Sequence, residues 1–397
     1  MARVNPALLL WAREAAGLSL RQAAPKVGFR DTVRGSAEDR LAALERGEAE
    51  PSRPTLLRMV KVYRRPLLTF YLAAPPPRAE RGEDFRTLPE DQKAESAATI
   101  DALLRDVRAR QAGVRAILED EGERPPSFIA AIDADTSPER AAAFLVEAIG
   151  FSLDRFRAAR GVEAAFSYLR QIVEGAGAFV LLIGNLGSHH SAISPDVFRG
   201  IALADTVAPF IVINDQDAKS AWSFTLLHEL AHLAVGASGI SGGRAEGHLE
   251  RFCNQVAGLI LMPDADLRTF AVPSSGAVDL PSLQRTITEF ASTRNLSRPA
   301  VAYRLHLIGV LSHGVWEAVS GAFREEYLTE RARQKERDRE ADGAPDYYIV
   351  RRHRIGASLL ELVRRTLEEG NITPTRAAKI LGVKPRNVGT LVSRSAA

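Results

Sequence analysis

Apolar positions in the first part of the chain recur every three or four residues, in short stretches separated by turn signals. This spacing predicts helices, and Gly17 and Ser19 supply a break and a helix cap between the first two. The predicted helices cover 6–16, 20–27, 37–46 and 54–63. The stiff segment Pro75-Pro76-Pro77 follows them and predicts a domain boundary.

Further along, the pattern changes from helical to strand-like and back. Ala178–Ile183 and Phe210–Ile213 are β-rich apolar runs bounded by Gly, Pro and Asn, so a small sheet is predicted before a helix at 218–235. The mixed-charge run 325–342 indicates either a solvated helix or a linker. The other predicted helices are 93–121, 137–149, 162–174, 249–261, 281–293, 297–309, 355–367 and 374–381, with a last one that begins near 384–387.

Length and composition narrow the class of protein. With 397 residues, of which 46% are apolar, the chain can build more than one hydrophobic core. The single cysteine, Cys253, has no partner for an internal disulfide, which is typical of a reducing compartment. No apolar stretch reaches the length of a membrane span, and the N-terminus lacks the pattern of a signal peptide. We therefore expect a cytoplasmic protein with no membrane partner.

Charge is distributed unevenly along the chain. Residues 1–77 carry a net +6 and residues 320–397 a net +5, whereas residues 78–319 carry −8. Contact with a polyanion, where it occurs, is thus expected at the two ends. Solvated arginine-rich helices explain the same distribution, so charge alone does not decide between these interpretations.

The sequence His228-Glu229-Leu230-Ala231-His232 lies within the helix predicted at 218–235. Residues four apart share one face of a helix, so His228 and His232 can both direct a ring nitrogen at one Zn²⁺ ion. Glu229 cannot share that point as a ligand, but its carboxylate can reach a metal-bound water and accept its proton. The motif predicts two zinc ligands and a general base.

A third ligand is expected from the helix that follows. Glu250 is the preferred residue, and Asn254, one turn later on the same face, is predicted to orient a ligating histidine by a hydrogen bond. Glu246 and His248 remain alternatives to Glu250. Cys253 lies in an apolar run and is interpreted as a packing residue.

These residues and others around them resemble the ImmA/IrrE-type zinc metallopeptidases across about residues 178–310. The resemblance implies zinc ligands at His228, His232 and Glu250 and a catalytic glutamate at Glu229. It also implies a substrate among regulatory proteins, such as helix-turn-helix repressors or antitoxins, and a role in gene regulation or stress response. The matching segments are Phe198–Gly200, Ala208–Asn214, Phe224–His232, Glu250–Asn254, Leu261–Pro263, Leu296-Ser297 and Tyr303–Leu305.

Residues 5–72 resemble a helix-turn-helix domain of the XRE type, on the segments Leu20–Ala24, Leu44–Glu48 and Pro51–Leu56. The resemblance implies that a helix containing Arg40 and Arg46 enters the major groove of DNA. The sequence departs from the family pattern by an insertion at 30–35, where the turn into that helix is normally tight. The partner of this domain can therefore be DNA or a protein.

Three further features have open interpretations. The tail at 372–392 is similar to a second helix-turn-helix, and a helical bundle for docking or dimerisation is the alternative. Arg199 and Tyr303 are both candidates for stabilising the oxyanion of a peptidase reaction. His189-His190 is predicted to lie in a solvated loop.

Together these features predict a mainly α, multidomain protein. A helix-turn-helix domain at 1–77 and a helical region at 78–175 precede a zincin-like α+β metallopeptidase domain with a small sheet at 176–323. A charged linker and a helical C-terminal region follow at 324–397. The predicted function is zinc-dependent endoproteolysis of a repressor or antitoxin, with a homodimer compatible with the sequence. The alternative is a DNA-binding regulator whose metallopeptidase-like domain senses a ligand or partner without cutting it.

Overall fold

The chain forms two compact units. The computed structural model describes residues 3–33, 35–76, 90–133, 135–187, 191–241, 247–268, 270, 279–340 and 346–393. The first unit comprises 1–81, 85–107 and 185–193, and the second comprises 82–84, 108–184 and 194–397. The mainly helical, multidomain class with a small sheet is confirmed. The division into four domains stays a prediction. Over the described ranges, no helix has the length and apolar character needed to cross a membrane.

The first unit contains four short helices that begin at side-chain caps. Asn5, Ser19, Ser36 and Ser52 each accept a backbone N–H at the start of a helix. A buried ion pair joins the first helix to the third, since Arg13 Nε and Nη2 lie 2.7 and 2.9 Å from the Glu45 carboxylate oxygens. The helices are α1 (Pro6–Ala15), α2 (Leu20–Val27), α3 (Ala37–Glu45) and α4 (Arg53–Val62), followed by a 3₁₀ turn at Leu67–Tyr71.

The second unit has a four-stranded sheet with the order β1-β3-β2-β4. Strand β1 (Phe179–Leu182) runs parallel to β3 (Phe210–Ile213), and β2 (Gly200–Leu203) runs antiparallel to β3 and to β4 (Gly239–Ser241). Every residue of β1, β2 and β3 is buried, as expected for strands covered on both faces. The sheet is preceded by α5 (Glu90–Asp120, shared between the two units), α6 (Pro138–Ile149), α7 (Leu153–Ala158) and α8 (Val162–Gly175).

Helices after the third strand complete the core. The helix predicted at 218–235 begins at Trp222, because Lys219–Ala221 form a 3₁₀ turn. The mixed-charge run is the C-terminal part of a helix described to Glu340, so the helical interpretation of that run is correct up to this residue. These elements are α9 (Trp222–Val235), α10 (His248–Leu261), α11 (Asp264–Leu267), α12 (Leu280–Ser292), α13 (Arg298–Leu307) and α14 (His313–Glu340).

The C-terminal helices are attached to the sheet by a buried ion pair on α8. Arg170 donates to the carbonyls of Val180 and His353, and Glu174 accepts the backbone N–H groups of Ala357 and Ser358 at 3.1 and 3.3 Å. The pair therefore connects β1 with the start of the C-terminal region. That region contains α15 (Tyr347–Ile355), α16 (Ala357–Glu368), α17 (Pro374–Leu381) and α18 (Val388–Val392).

Candidate metal and catalytic site

Helix α9 carries both histidines and is buried over most of its length. Most of its residues are apolar, and those from Leu226 to Ala234 are buried among the sheet and the neighbouring helices. Such a helix is stabilised mainly by packing on all sides. Because His228 and His232 are four residues apart, their rings lie on the same face, with ring centroids 4.8 Å apart.

Helix α10 packs against α9 and brings a carboxylate to the histidine pair. Glu250 is in the first turn of α10, where a negative charge is stabilised by the helix dipole. Its oxygens lie 3.1 Å from His228 Nε2 and 2.7 Å from His232 Nε2, and the two Nε2 atoms are 3.1 Å apart. The described part of the chain contains one group of side chains arranged to hold a metal ion: His228, His232 and Glu250.

The donor set and its spacing fit a zinc ion. In a tetrahedral site with bonds of about 2.0–2.1 Å, neighbouring donor atoms are about 3.3 Å apart. The observed separations of 2.7 to 3.1 Å are slightly shorter, and all three donors converge on one point. Burial lowers the pKa of His232, but the Cys253 thiol and the Glu250 carboxylate raise it to about 11. The Glu250 carboxylate also places a negative charge next to both ring nitrogens, which favours a cation between the three donors.

Glu229 is fully buried and its position depends on a glycine of β2. A methyl group on Gly200 would lie 2.6 Å from Cδ and 2.7 Å from Cγ of Glu229, well inside contact distance. Because glycine has no Cβ, there is room for the Glu229 carboxylate next to strand β2. Asn214, at the end of β3, fixes the chain just before Gly200. Its side chain donates to the Phe198 carbonyl at 2.9 Å, and its backbone N–H donates to the Arg199 carbonyl at 2.9 Å.

Gly200 was not predicted as a site residue. It bears no functional group, and it lies 29 positions before Glu229, so neither chemistry nor spacing identifies it. The available signal is a glycine at the start of a buried apolar run, which in a strand often marks close approach of another group.

Asn254, which is predicted to orient a histidine, lies beside Tyr303, one of the two candidates for stabilising the oxyanion. Asn254 follows Glu250 by one turn of α10 and hydrogen-bonds to the Tyr303 hydroxyl. Burial raises the pKa of Tyr303, and the Arg251 guanidinium and the Asn254 bond oppose only part of that rise. Tyr303 thus keeps its proton and can donate a hydrogen bond. The role of Asn254 toward a histidine stays a prediction.

The other residues considered in the sequence analysis differ in their exposure and in their contacts. Arg199 is more than half exposed, with Asp217 3.8 Å from its Nε. Cys253 is buried against His232, and burial raises the pKa of its thiol, in keeping with a packing role. His248 is exposed at the first position of α10 and does not join the metal-ligating group. Glu246, His189 and His190 lie outside the described residues.

The two arginines predicted to contact DNA lie at different points of α3. The Arg40 guanidinium stacks on the Phe29 ring, 5.0 Å from its centroid. Arg46 is the C-cap residue of α3, and both its Nε and its Nη2 bond the Glu48 carboxylate, at 2.5 and 2.9 Å. Arg46 therefore lies at the C-terminal end of α3. In a recognition helix the N-terminal turn, at the other end, contacts base edges.

One family model matches the segment that contains this site. Residues 186–306 match the model of a peptidase family, the IrrE N-terminal-like domain. The match includes Gly200, the histidine pair and Glu250, and it supports the resemblance to the ImmA/IrrE peptidases, although the matched residues are less than a third of the chain. No curated protein and no solved structure matches the chain significantly.

Proposed function

We propose that this protein is a zinc-dependent endopeptidase that cleaves a regulatory protein such as a helix-turn-helix repressor or an antitoxin. The observation that supports the proposal is the convergence of His228 Nε2, His232 Nε2 and the Glu250 carboxylate beside a buried Glu229. The match to a peptidase domain over residues 186–306 agrees with it, and that family is generally associated with zinc.

The metal would be held by His228, His232 and Glu250. When bound there, zinc would supply a Lewis acid that polarises the peptide carbonyl and makes a water molecule more acidic. Three protein ligands leave a fourth coordination position open, as in catalytic rather than structural zinc sites.

The proton transfers are assigned to Glu229. Its carboxylate accepts the proton of the attacking water and then donates it to the nitrogen of the leaving amine. Gly200 leaves the space that the carboxylate occupies, and the surrounding apolar side chains exclude bulk water and strengthen electrostatic interactions within the site. The protonated Tyr303 hydroxyl is the candidate donor toward the oxyanion, because it lies beside Asn254 on the Glu250 face of α10.

The first unit is proposed to recruit the protein substrate. Several large apolar side chains are exposed on α4 and from the start of the 3₁₀ turn to the residue after it, as is common at protein interfaces. These residues are Leu57, Leu67, Leu68, Tyr71 and Leu72.

Glu229→Gln tests the enzymatic proposal, because it preserves the size of the side chain and removes the base. We expect purified Glu229→Gln to bind one zinc per chain, as the wild type does. The wild type added to an extract of the source cells should create new protein N-termini that the variant does not create. New N-termini that appear equally with both proteins would contradict the proposal, as would wild-type protein without stoichiometric zinc.

A second candidate function is supported by the burial of the site. His228, Glu229, His232 and Glu250 are each less than 5% exposed, which also suits a metal centre that senses a ligand or stabilises a partner interface. A protein with this second function would be a regulator that binds zinc but creates no new N-termini. The same experiment therefore distinguishes the two functions.

A further inference from the structure

The C-terminal residues 373–393 form a helix-turn-helix that packs on α16. Helix α17 ends at Gly382, whose φ of 65° makes the tight turn, and a 3₁₀ turn at Pro385–Asn387 runs directly into α18. Helix α16 packs against both α17 and α18. The side chains between these helices are buried: Leu359, Leu362, Val363, Ala377, Ala378, Leu381, Val388 and Leu391.

The motif is held in a fixed orientation on the second unit. The Arg352 guanidinium donates to the carbonyls of Thr390, Leu391 and Ser393, which secures the end of α18. At the other side of α16, the buried Arg170–Glu174 pair bonds the first turn of that helix and the end of α15. The motif is therefore an integral part of the second unit.

The charged residues of this motif are all basic. Residues 370–397 contain five Lys or Arg and no Asp or Glu. Lys379, Lys384 and Arg386 are exposed and Arg376 is partly exposed, and within the described ranges none of the four forms a salt bridge. Tyr347 lies next to this motif, since Asn387 donates a hydrogen bond to its hydroxyl. Partial burial raises the pKa of Tyr347, but hydrogen bonds from Arg351 and Asn387 and the charges of Arg351 and Lys384 lower it overall.

The corresponding helix of the first unit has the opposite charge. Residues 36–50, which include α3, contain five Asp or Glu and two Lys or Arg. Glu38 and Asp39 lie in the first turn of α3, where a recognition helix meets DNA, and Arg46 is already bonded to Glu48. Acidic residues in that turn repel the phosphate backbone.

We propose that the C-terminal helix-turn-helix, and not the N-terminal one, binds double-stranded DNA. Arg376, Lys379, Lys384 and Arg386 contact phosphates, and the 3₁₀ turn with α18 enters the major groove, which is wide enough for one helix. This inference does not depend on peptidase activity, since it concerns residues distant in sequence from the peptidase domain.

The salt dependence of binding measures the number of phosphate contacts. Each contact contributes about −0.9 to the slope of log K against log salt, so four contacts give about −3.6. Between 50 and 200 mM salt, binding should weaken by roughly 150-fold. The probe is a fluorescein-labelled duplex of random sequence, about three helical turns long, and the full chain is titrated by fluorescence anisotropy.

Two double variants with equal charge changes locate the contacts. Lys384→Gln with Arg386→Gln should reduce the slope to about −1.8, which is roughly a 12-fold weakening over the same salt range. The matched control, Arg40→Gln with Arg46→Gln, should bind as the wild type does. All four side chains are exposed or partly exposed, so both variants should keep the wild-type unfolding temperature.

Three results would overturn the proposal. One is no binding of the duplex at 50 mM salt, and another is an equal or tighter affinity for the single strand of the same sequence. The third is a loss of slope in the Arg40/Arg46 variant with none in the Lys384/Arg386 variant, which would assign DNA contact to the first unit.

Discussion

A single methyl group at position 200 should disable the catalytic base without removing the metal. In Gly200→Ala, the new carbon would lie 2.6 Å from Cδ of Glu229, whereas carbon atoms in contact are about 3.5–4.0 Å apart. Strand β2 cannot yield, because it is paired with β3 on one side and β4 on the other. The carboxylate of Glu229 must therefore move by about 1 Å.

This movement should lower the rate of catalysis and the stability of the fold. A misplacement of about 1 Å in a catalytic group can lower the rate by about 10²-fold, which corresponds to about 2.7 kcal/mol in activation free energy. Overpacking should also lower the free energy of unfolding by about 1–3 kcal/mol. The nearest atoms to the new methyl group all belong to Glu229, so zinc content should stay at the wild-type level.

The assay compares cleavage rates on a peptide that spans the site identified from the new N-termini. The matched control is Gly321→Ala on α14, where an added Cβ meets open space and should be neutral or stabilising by up to about 1 kcal/mol. A folded, zinc-loaded Gly200→Ala protein with a rate within twofold of the wild type would refute the role assigned to Glu229. Loss of zinc would show instead that the change acts through the metal ligands.

Three other changes test the surroundings of the site. Removal of zinc by a chelator should lower the unfolding temperature, since ligand at 100 times its Kd stabilises the fold by about 2.7 kcal/mol; an unchanged temperature in calorimetry would contradict a bound metal. Tyr303→Phe should lower kcat by about 10²-fold with little change in KM if its hydroxyl donates to the oxyanion, whereas Arg199→Gln should have no such effect. Glu174→Ala should destabilise the protein by about 3–5 kcal/mol, because Arg170 would be left as an uncompensated buried charge; a denaturant titration with an unchanged midpoint would contradict this.

Periodicity was sufficient for most helices and for two strands. The run at 210–213 predicts β3 with its observed bounds, because four β-rich residues stand between clear turn signals. The sequence does not predict strand β2, because two of its four residues, Gly200 and Ala202, have low β-propensity, whereas all four residues of β3 have high β-propensity. Its position is determined by pairing with β3 and β4, which are contacts that no local pattern records.

Packing between separate elements also limits how much of the site can be predicted from the sequence. Four-residue spacing on one helix brings His228 and His232 together whatever surrounds them. The position of Glu250 depends on how α10 packs against α9, so the sequence supplies only a choice among acidic residues and His248. The last helix shows a similar effect at smaller scale, because Pro385–Asn387 form a 3₁₀ turn and the α-helix begins at Val388.

Burial of the site restricts what the proposed enzyme can cut. In the part of the chain that the structure describes, Glu229 is buried and the three ligands are each less than 5% exposed, so we expect that a folded domain does not reach the metal as a unit. A substrate has to reach it as an extended segment, and the energy needed to unfold such a segment is smallest in loops and linkers. The proposed cleavage therefore falls in a linker or exposed loop of the regulator, where one cut separates two folded parts and leaves each of them intact.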